Sequence, residues 1–347
     1  MATIHDVARA AGVSTATVSR ALAGSAAVAT STRERVQRTA HALGYVPNSA
    51  ARQLVTGRGQ SIGLVLPDLE NPFYAAVAKG VQQRVRAAGL TAVMADTDED
   101  VETERAVLDQ LSAGIDRLIL ASPRVPDADL EALGVKTRTV LINRQLQVAT
   151  DRIVSVVPDN AGGIAQALRH LYNLGHRYVG YAGGPATSWS DAQRRRAYQT
   201  APGGLEVVDL GAYRPGQVGG VAAADEAIAR GVTAVLAFND QLAIGILGRL
   251  AARRVAVPER ISVVGFDDVP VARLLAPALT TVAVPAQLIG ARAVDLLMAE
   301  PETGSGSDPD AAPAEQVVMD VELQVRASTA EPAAASPEPA ASSNGGQ

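Results

Sequence analysis

Residues 3–22 read TIHDVARAAGVSTATVSRAL, and this stretch decides the fold of the first part of the chain. Thr3 can cap a helix whose apolar side chains recur at positions i, i+3 and i+4. Gly12 can end that helix, and Ser14 can cap a second helix with an apolar inner face of its own. Two short helices joined by a tight Gly-Val-Ser turn predict a helix-turn-helix.

The next residues predict a third helix and, with it, a small head. Ser31 and Glu34 have the spacing of a capping box, and Gly44 can end the helix. Residues 1–47 are therefore predicted to form a bundle of three short helices. Because so small a bundle has a small core, we expect it to gain rigidity from DNA or from a partner.

Charge is distributed unevenly along the 347 residues. The net charge is −5, but residues 1–60 carry seven arginines and two acidic residues, which gives them a net charge of +5. The rest of the chain, with 24 basic and 34 acidic residues, carries −10. A basic head on an acidic body indicates a head that meets phosphate. From charge alone, a solvated helical face is an equally good interpretation.

Composition divides the remainder into a hinge, a body and a tail. Residues 48–60 predict a short hinge helix and a glycine-containing linker, and residues 61–327 predict a folded body. Residues 328–347 consist largely of Ala, Pro, Ser, Glu and Gly, a composition that cannot bury a core, so we expect a disordered tail. Residues 300–314 have the same composition and are predicted to form a surface loop.

The body alternates short apolar runs with amphipathic stretches in two successive blocks, a pattern that predicts an α/β body of two doubly wound lobes. Two such lobes meet at a cleft that the carboxyl ends of their strands line. The predicted strands are 62–66, 90–95, 118–121, 139–142, 153–156, 178–182, 206–209, 234–237 and 262–266.

Several classes of protein receive no support from the sequence. Without cysteine there is no disulfide framework and no thiolate chemistry. The four histidines are scattered without metal-ligand spacing, and we find no phosphate loop, no dinucleotide fingerprint and no base–nucleophile pair. We therefore expect neither an enzyme nor a cofactor. With no signal peptide and no long apolar run, we expect a cytoplasmic protein without a membrane partner.

The head and hinge closely resemble the lactose-repressor (LacI/GalR) family, and further motifs extend the resemblance in order over residues 2–327. The motifs of the head and hinge are Thr3-Ile4-His5-Asp6-Val7-Ala8, Gly12-Val13-Ser14, Thr17-Val18-Ser19-Arg20 and Tyr45-Val46-Pro47-Asn48. Those of the body are Ser61-Ile62-Gly63, Asn71-Pro72-Phe73, Leu174-Gly175-His176, Gly183-Gly184-Pro185, Phe238-Asn239-Asp240, residues 261–268, Pro277 and Leu279-Thr280-Thr281. One departure is Ala197-Tyr198, where the family usually has a Gly-aromatic pair.

The second helix is the predicted reader of DNA, because its amino-terminal side chains enter the major groove in a helix-turn-helix. Its outward residues are Thr15, Ala16 and Arg20. Arg20 can bond bidentately to guanine, whereas Ala16 can offer only a methyl contact. The candidates for phosphate contacts are Thr3, Ser14 and Ser19. A surface helix without DNA contacts is the alternative.

The resemblance also assigns a role to the hinge. Asn48 can cap a helix over residues 49–55, which in the family forms only as a pair in the minor groove. Leu54 matches the family leucine that wedges into the central base step and kinks the duplex. Arg52 would add a phosphate or minor-groove contact. Ordinary linker packing is the alternative for Leu54.

The resemblance places effector contacts on both sides of the cleft. The physical logic suits a polar ring ligand, with aromatic faces around it and Asp and Arg groups on its edges. Asp267 could instead cap the segment that follows it, and Asp240 is interpreted as the cap of a helix from residue 241. The first lobe would supply Asp68, Asn71, Phe73, Tyr74, Ser122, Asn143 and Arg144. The second would supply Trp189, Ser190, Arg194, Tyr213, Asn239 and Asp267.

Together these observations predict a homodimeric regulator, most simply a repressor, that binds a pseudo-palindromic double-stranded DNA operator under the control of a sugar or nucleoside-like effector. A solute-binding protein of periplasmic type is the first alternative, but it gives no reason for residues 1–60. A small-molecule-processing enzyme is the second. The sequence leaves open the identity of the effector and whether it releases or promotes DNA binding. It also does not decide whether the protein activates or represses transcription, or whether it is a dimer or a tetramer.

Overall fold

A computed structural model describes residues 2–22, 27–45, 61–146, 152–299 and 316–333. The chain divides into two compact units, Met1–Gln60 and Ser61–Gln347. The hinge residues Asn48, Arg52 and Leu54 lie outside the described residues, as does the predicted loop at 300–314.

The head contains α1 (Ile4–Ala11), α2 (Thr15–Leu22) and α3 (Thr30–Ala42). Thr3 caps α1 as predicted, and Asp6 completes a capping box because its carboxylate accepts the backbone N–H of Thr3 at 2.9 Å. Gly12 ends α1 with a left-handed φ of 63°. Ser14 then caps α2, since its Oγ accepts the N–H of Thr17 at 3.1 Å.

The predicted capping box of the third helix is wrong. Helix α3 begins at Thr30, with Ala29 as an N-cap that offers no side-chain hydrogen bond, so Ser31 already lies inside the helix and does not pair with Glu34. Gly44 does adopt the left-handed conformation, with φ of 62°, just after the helix. Buried residues of all three helices and of the segment before α3 form one small core: Val7, Ala8, Ala11, Val18, Ala21, Val28, Val36 and Ala40.

The body contains two six-stranded sheets. Their strands are β1 (Ser61–Leu66), β2 (Thr91–Asp96), β3 (Arg117–Ala121), β4 (Arg138–Ile142), β5 (Ile153–Pro158), β6 (Tyr178–Gly183), β7 (Glu206–Ala212), β8 (Ala234–Ala237), β9 (Ser262–Asp267), β10 (Thr280–Ala283), β11 (Gln316–Met319) and β12 (Glu322–Gln324). The α-helices of the body are α4 (Pro72–Ala87), α5 (Val101–Ser112), α6 (Asp127–Lys136), α7 (Asn160–Asn173), α8 (Trp189–Tyr198), α9 (Gln217–Arg230), α10 (Asp240–Ala252) and α11 (Ala286–Met298). None of the helices in the described ranges is long and apolar enough to cross a membrane.

The first sheet has the order β11-β5-β4-β3-β1-β2, and all of its pairs are parallel. The strands β1, β3, β4 and β5 are buried on both faces, since successive side chains point to opposite sides, whereas the edge strands β2 and β11 are partly exposed. Leu64 packs into the core that α4 and α11 cover, whereas Val65 packs with α5 and α6 on the other face. This is the doubly wound lobe that the apolar runs predict.

The second sheet has the order β12-β10-β9-β8-β6-β7 and is parallel except for the β10–β12 pair. The chain passes between the lobes after β5, after β10 and between β11 and β12. The nine predicted strands are present as β1 to β9. Strands β10, β11 and β12 were not predicted, because each is only three or four residues long and, unlike the equally short but wholly apolar β8, contains polar residues.

The ordered body extends beyond its predicted end at residue 327. Ser328 is fully buried, and its Oγ donates to the carbonyl of Val263 at 2.6 Å and accepts the N–H of Thr280 at 2.8 Å. Nε2 of buried His176 lies 3.0 Å from the carbonyl of Ala330. Composition did not predict that this polar segment is ordered, because two or three buried hydrogen bonds are enough to hold it in place. Residues 334–347 of the predicted tail lie outside the described part.

Helices α4 and α11 approach so closely that glycine is required at their contact. A Cβ at Gly80 would stand 2.0 Å from the carbonyl oxygen of Gln287, which is backbone and cannot swing away. We expect Gly80→Ala to lower the free energy of unfolding by about 2–3 kcal/mol, since forcing an extra methyl into a packed contact moves backbone. Chemical denaturation followed by circular dichroism measures this change.

Gly114→Ala is the matched control, because a Cβ there meets nothing within 4 Å and its φ is not left-handed. We expect this substitution to be neutral or to stabilise by about 0.4–1 kcal/mol through the unfolded chain. Equal effects of the two substitutions would contradict the close helix contact.

Candidate functional site

A small cavity, the inner cavity, lies between the two lobes of the body. Its lining residues follow β1, β3, β4, β6, β8 and β9, so it lies at the carboxyl ends of strands from both sheets, where open α/β sheets bind ligands. The lining residues are Asn71, Phe73, Tyr74, Ser122, Asn143, Ser188, Ser190, Arg194, Phe238, Asn239 and Asp267.

Nine of the thirteen predicted effector residues line the inner cavity, and four do not. Asp68 instead accepts the N–H of Glu70 at 2.7 Å in a loop, and Tyr213 donates its hydroxyl to the carbonyl of Leu210. Arg144 and Trp189 line a neighbouring cavity.

Sequence reasoning missed two of the lining residues, Ser188 and Phe238. Ser188 caps α8, since its Oγ accepts the N–H of Asp191 at 3.2 Å, and this cap was the available signal. Phe238 directly follows β8 within the Phe-Asn-Asp motif. Its position at the end of an apolar strand would have placed it in the cleft.

Backbone strain is concentrated around the inner cavity. Ser122, Asn143 and Asp267 have φ values of 47°, 56° and 123°, and Asp268 follows with 54°. Such conformations cost on the order of 1–3 kcal/mol each and persist where the surrounding structure enforces them. Their position at the ends of β3, β4 and β9 favours a functional role for this edge of the sheets.

Two asparagines of the inner cavity cap the helices that follow them. Oδ1 of Asn71 accepts the N–H of Phe73, and Oδ1 of Asn239 accepts the N–H of Leu242, both at 3.0 Å. The cap assigned to Asp240 is therefore wrong, because Asn239 already holds that position. Each asparagine keeps an amide NH2 group that can donate to a ligand.

Asp240, which follows the lining residue Asn239, is fully buried. Its carboxylate accepts the hydroxyl of Thr281 at 2.5 Å and the N–H of Val269 at 2.8 Å. Burial raises the pKa of Asp240 to about 7, although both hydrogen bonds act in the opposite direction. This residue fixes the segment after β9 and is not part of the lining.

Arg194 is the fixed cation of the inner cavity and is almost fully buried. Its Nε donates to Oδ1 of Asn160 at 2.8 Å, and Nη1 donates to the carbonyl of Phe238. The guanidinium stacks on the ring of Phe266, 3.5 Å from the ring centroid. Burial lowers the pKa of Arg194 and the negative charge of Asp267 opposes that shift. These contacts hold the guanidinium in place before any ligand binds.

The inner cavity also contains an acidic group, opposite in charge to Arg194, and hydrogen-bond acceptors without partners. Within the described residues the carboxylate of Asp267 has no hydrogen-bond or ion-pair partner, and burial raises its pKa well above the ordinary value while Arg194 acts to lower it. Oδ1 of Asn143 is buried and also lacks a partner. A lining that offers free acceptors, free amide donors and the aromatic rings of Phe73, Tyr74 and Phe238 suits a polyhydroxylated ring ligand.

The lobes are closed over this cavity. Its volume is about 20 Å³, room for about one water molecule, whereas ligand sites typically measure ~300–1,000 Å³. Polar contacts cross the cleft: Ser190 Oγ donates to the carbonyl of Asn143 at 3.4 Å, and Arg214 pairs with exposed Asp98 at 2.5 Å. Since exposed ion pairs and long hydrogen bonds contribute little, these two contacts add little to the cost of separating the lobes.

In the head, α2 presents the predicted DNA-reading residues. Ala16 and Arg20 are exposed, and Thr15 and Ser19 are half-buried. Ser14 is exposed but its Oγ serves as the helix cap. Thr3 is exposed and donates its hydroxyl to Asp6 at 2.7 Å. Ala16 and Arg20 are thus exposed where the prediction needs contacts with base edges. Among the described residues of the chain, no group of His, Cys, Asp and Glu has the arrangement of a metal site.

A helix-turn-helix head and a two-lobed body with a polar cleft define a class of protein, the ligand-responsive DNA-binding transcription regulators. Family models agree with this division: residues 3–48 match "Bacterial regulatory proteins, lacI family", and residues 168–329 match "Periplasmic binding protein-like domain".

Relatives and solved structures extend the match to nearly the whole chain. The transcriptional regulator GalR of Salmonella typhimurium is 36% identical over 86% of this chain and 89% of its own. The regulator CelR of Thermobifida fusca is 34% identical over 94% of this chain and 98% of its own. The structure of a CelR–cellobiose complex has 29% identity and a TM-score of 0.66, with coverage of 94% and 100%. The lac repressor dimer bound to operator and the anti-inducer ONPF has a TM-score of 0.80 at 24% identity, with coverage of 95% and 99%. The chain belongs to the lacI family of bacterial transcription regulators.

Proposed function

We propose that this protein is a repressor that binds a pseudo-palindromic operator as a homodimer and responds to a sugar in the inner cavity. The observation that carries the proposal is the arrangement of the inner cavity, in which Asp267, Asn143 and the amides of Asn71 and Asn239 keep hydrogen-bonding capacity around Arg194. The cellobiose bound to CelR supports a sugar over a nucleobase.

The homodimer follows from the geometry of DNA reading. One head with a single reading helix contacts one half-site, so two heads are needed for a symmetric operator. The proposed DNA contacts are those of Thr3, Ser14, Thr15, Ala16, Ser19 and Arg20 in the head, and of Asn48, Arg52 and Leu54 in the hinge.

The direct test combines selection of DNA sites with a sugar screen. Operator sequences are selected from random DNA with the full-length protein, and affinity is then measured with and without each sugar. Thermal shift identifies the sugar independently, since a ligand at 100 times its Kd stabilises by ~2.7 kcal/mol. A symmetric selected site whose affinity changes with one sugar supports the proposal. Binding of a sugar without any effect on DNA affinity would favour a solute-binding protein instead.

Arg20 is expected to read a base. Arg20→Ala should cost about 1–3 kcal/mol on the selected operator and relax the preference at one symmetric base pair. Gel-shift titration over a range of salt concentrations measures both the affinity and the number of phosphate contacts. Arg38→Ala removes the same charge from the exposed side of α3 and should weaken operator and random DNA equally. If Arg20→Ala weakens binding to random DNA as much as binding to the operator, Arg20 contacts phosphate and not a base.

Leu54 is expected to kink the operator at its centre. A hinge helix of about two turns is too short to persist alone, so it needs a twin and the minor groove to form. Leu54→Ala should reduce bending and specific affinity together, because the wedge that unstacks the central step is lost. Val55→Ala, which lies about 100° around the same helix, should keep the bend. Electrophoretic phasing measures the bend angle, and an unbent wild-type complex would remove the wedge.

A further inference from the structure

A second, larger cavity lies beside the inner cavity, and it is lined by Arg144 and Trp189, two of the residues that the sequence predicted for the effector site. This outer chamber has a volume of about 540 Å³, within the range of small-molecule sites. It also lies between the lobes, because it is lined by the start of α6 and the segment after β4 on one side and by α8 on the other. Its polar and aromatic lining residues include Asp127, Arg144, Gln145, Trp189, Gln193 and Arg196.

The two cavities share a thin wall. Ser188 lines both, and the consecutive residues Asn143 and Arg144 face the inner cavity and the outer chamber respectively. On the opposite lobe, Ser190 faces the inner cavity and its neighbour Trp189 faces the outer chamber. The wall is closed by the hydrogen bond from Ser190 Oγ to the carbonyl of Asn143, which at 3.4 Å is long and weak. A ligand that separates these two residues would extend from one cavity into the other.

Unpaired polar atoms lie on both sides of this wall. Asn143 is only 6% exposed, and its Oδ1 has no hydrogen-bond partner among the described residues. Nε of Arg144 is likewise buried and has no partner in the described part of the chain, although Nη2 of the same residue pairs with Asp127 at 2.5 Å. Buried groups of this kind are costly unless something bonds them, so they indicate where a polar ligand binds.

The chemistry of the outer chamber favours a neutral polar ring. Asp127 and Arg144 neutralise each other, which leaves exposed Arg196 as a single uncompensated charge. A phosphate or other dianion is usually held by several cationic or backbone donors, so an anionic ligand is not favoured. Trp189 offers an indole face, and Gln145 and Gln193 offer amide donors and acceptors, a combination that fits the apolar face and the hydroxyl edge of a pyranose.

We propose that the outer chamber binds the second ring of a disaccharide whose first ring occupies the inner cavity. The inference rests on the proposed sugar response and makes it more specific. The effector is then a glycosidically linked pair of sugars, and Trp189 is the residue that distinguishes it from the monosaccharide.

The test uses matched pairs of sugars on the full-length protein: glucose with cellobiose and maltose, galactose with lactose and melibiose, and xylose with xylobiose. Calorimetry should show at least one disaccharide binding about 10- to 100-fold more tightly than its monosaccharide. Since Trp189 is the single tryptophan of the chain, its fluorescence should change with that disaccharide and not with the monosaccharide.

Trp189→Ala should remove the advantage of the disaccharide and leave the affinity for the monosaccharide unchanged, whereas Trp189→Phe should retain part of it. Gln199→Ala, an exposed change at the end of α8, controls for the effect of altering that helix. Equal affinity of the wild-type protein for both members of every pair would overturn the second-ring site alone. An equal loss for mono- and disaccharide in Trp189→Ala would assign Trp189 to the inner cavity. Failure of every sugar to bind would overturn the sugar response itself, and the second-ring site with it.

Discussion

Asp267→Asn is expected to lower the affinity for the effector sugar by about 10- to 100-fold and, at the same time, to raise the free energy of unfolding. The affinity falls because the unpaired carboxyl oxygens of Asp267 accept hydroxyl groups of the sugar, whereas asparagine replaces one of these oxygens with an amide NH2 group, and a buried polar group left unsatisfied costs about 1–3 kcal/mol. Asparagine has the same shape and tolerates the left-handed backbone of φ 123° better than alanine would. Calorimetric titration with the sugar measures the loss.

The gain in stability has a defined pH dependence. Burial raises the pKa of Asp267 in the folded protein, so on raising the pH the unfolded chain releases its proton first. The carboxyl group therefore lowers stability progressively from about pH 4 up to its raised pKa. The difference in unfolding free energy between Asp267→Asn and wild type should be small near pH 4 and grow as the pH rises toward the raised pKa of Asp267.

Glu206→Gln makes the same chemical change at the exposed start of β7, at the amino end of the sheet. It should leave both sugar affinity and the pH dependence of stability unchanged. If Asp267→Asn binds the sugar as tightly as the wild type does, the ligand does not contact the side of the inner cavity that the second lobe forms.

Val18→Asp is expected to abolish specific DNA binding while the body still binds its sugar. Val18 is fully buried among the eight residues of the head core, and an ionised carboxylate placed there costs several kcal/mol. A domain of this size has little stability to lose, so the head should unfold. Operator affinity should fall at least about 1,000-fold, which corresponds to ~4 kcal/mol.

The sugar affinity should stay the same because residues 61–347 form a compact unit of their own. Gel shift and calorimetry on the same preparation measure the two activities. Gln37→Asp places the same new charge on an exposed position of α3 and should weaken DNA binding only modestly and in a salt-dependent way. Loss of sugar binding in Val18→Asp would show that the two units do not fold independently.

The sequence determined the local structure wherever the signal lies within one turn or one strand. Thr3, Gly12 and Ser14 mark the ends of α1 and α2 because caps act over two to four residues. The apolar runs that became β1 to β9 could be recognised because a strand between two helical layers is apolar on both faces. The choice of cavity residues came from the family resemblance, and nine of its thirteen positions line the inner cavity.

Only the tertiary structure decided the features that depend on partners distant in sequence. Ser328 is polar and follows a loop-like sequence, yet it is buried because Val263 and Thr280 supply its hydrogen bonds. The inner cavity is assembled from segments after six strands, whose parallel pairing sets which side chains meet. The separation of Arg144 and Trp189 from their neighbours into the outer chamber depends on how closely the two lobes approach. Local propensity carries no information about that distance, because it arises from packing between segments that are far apart in the chain.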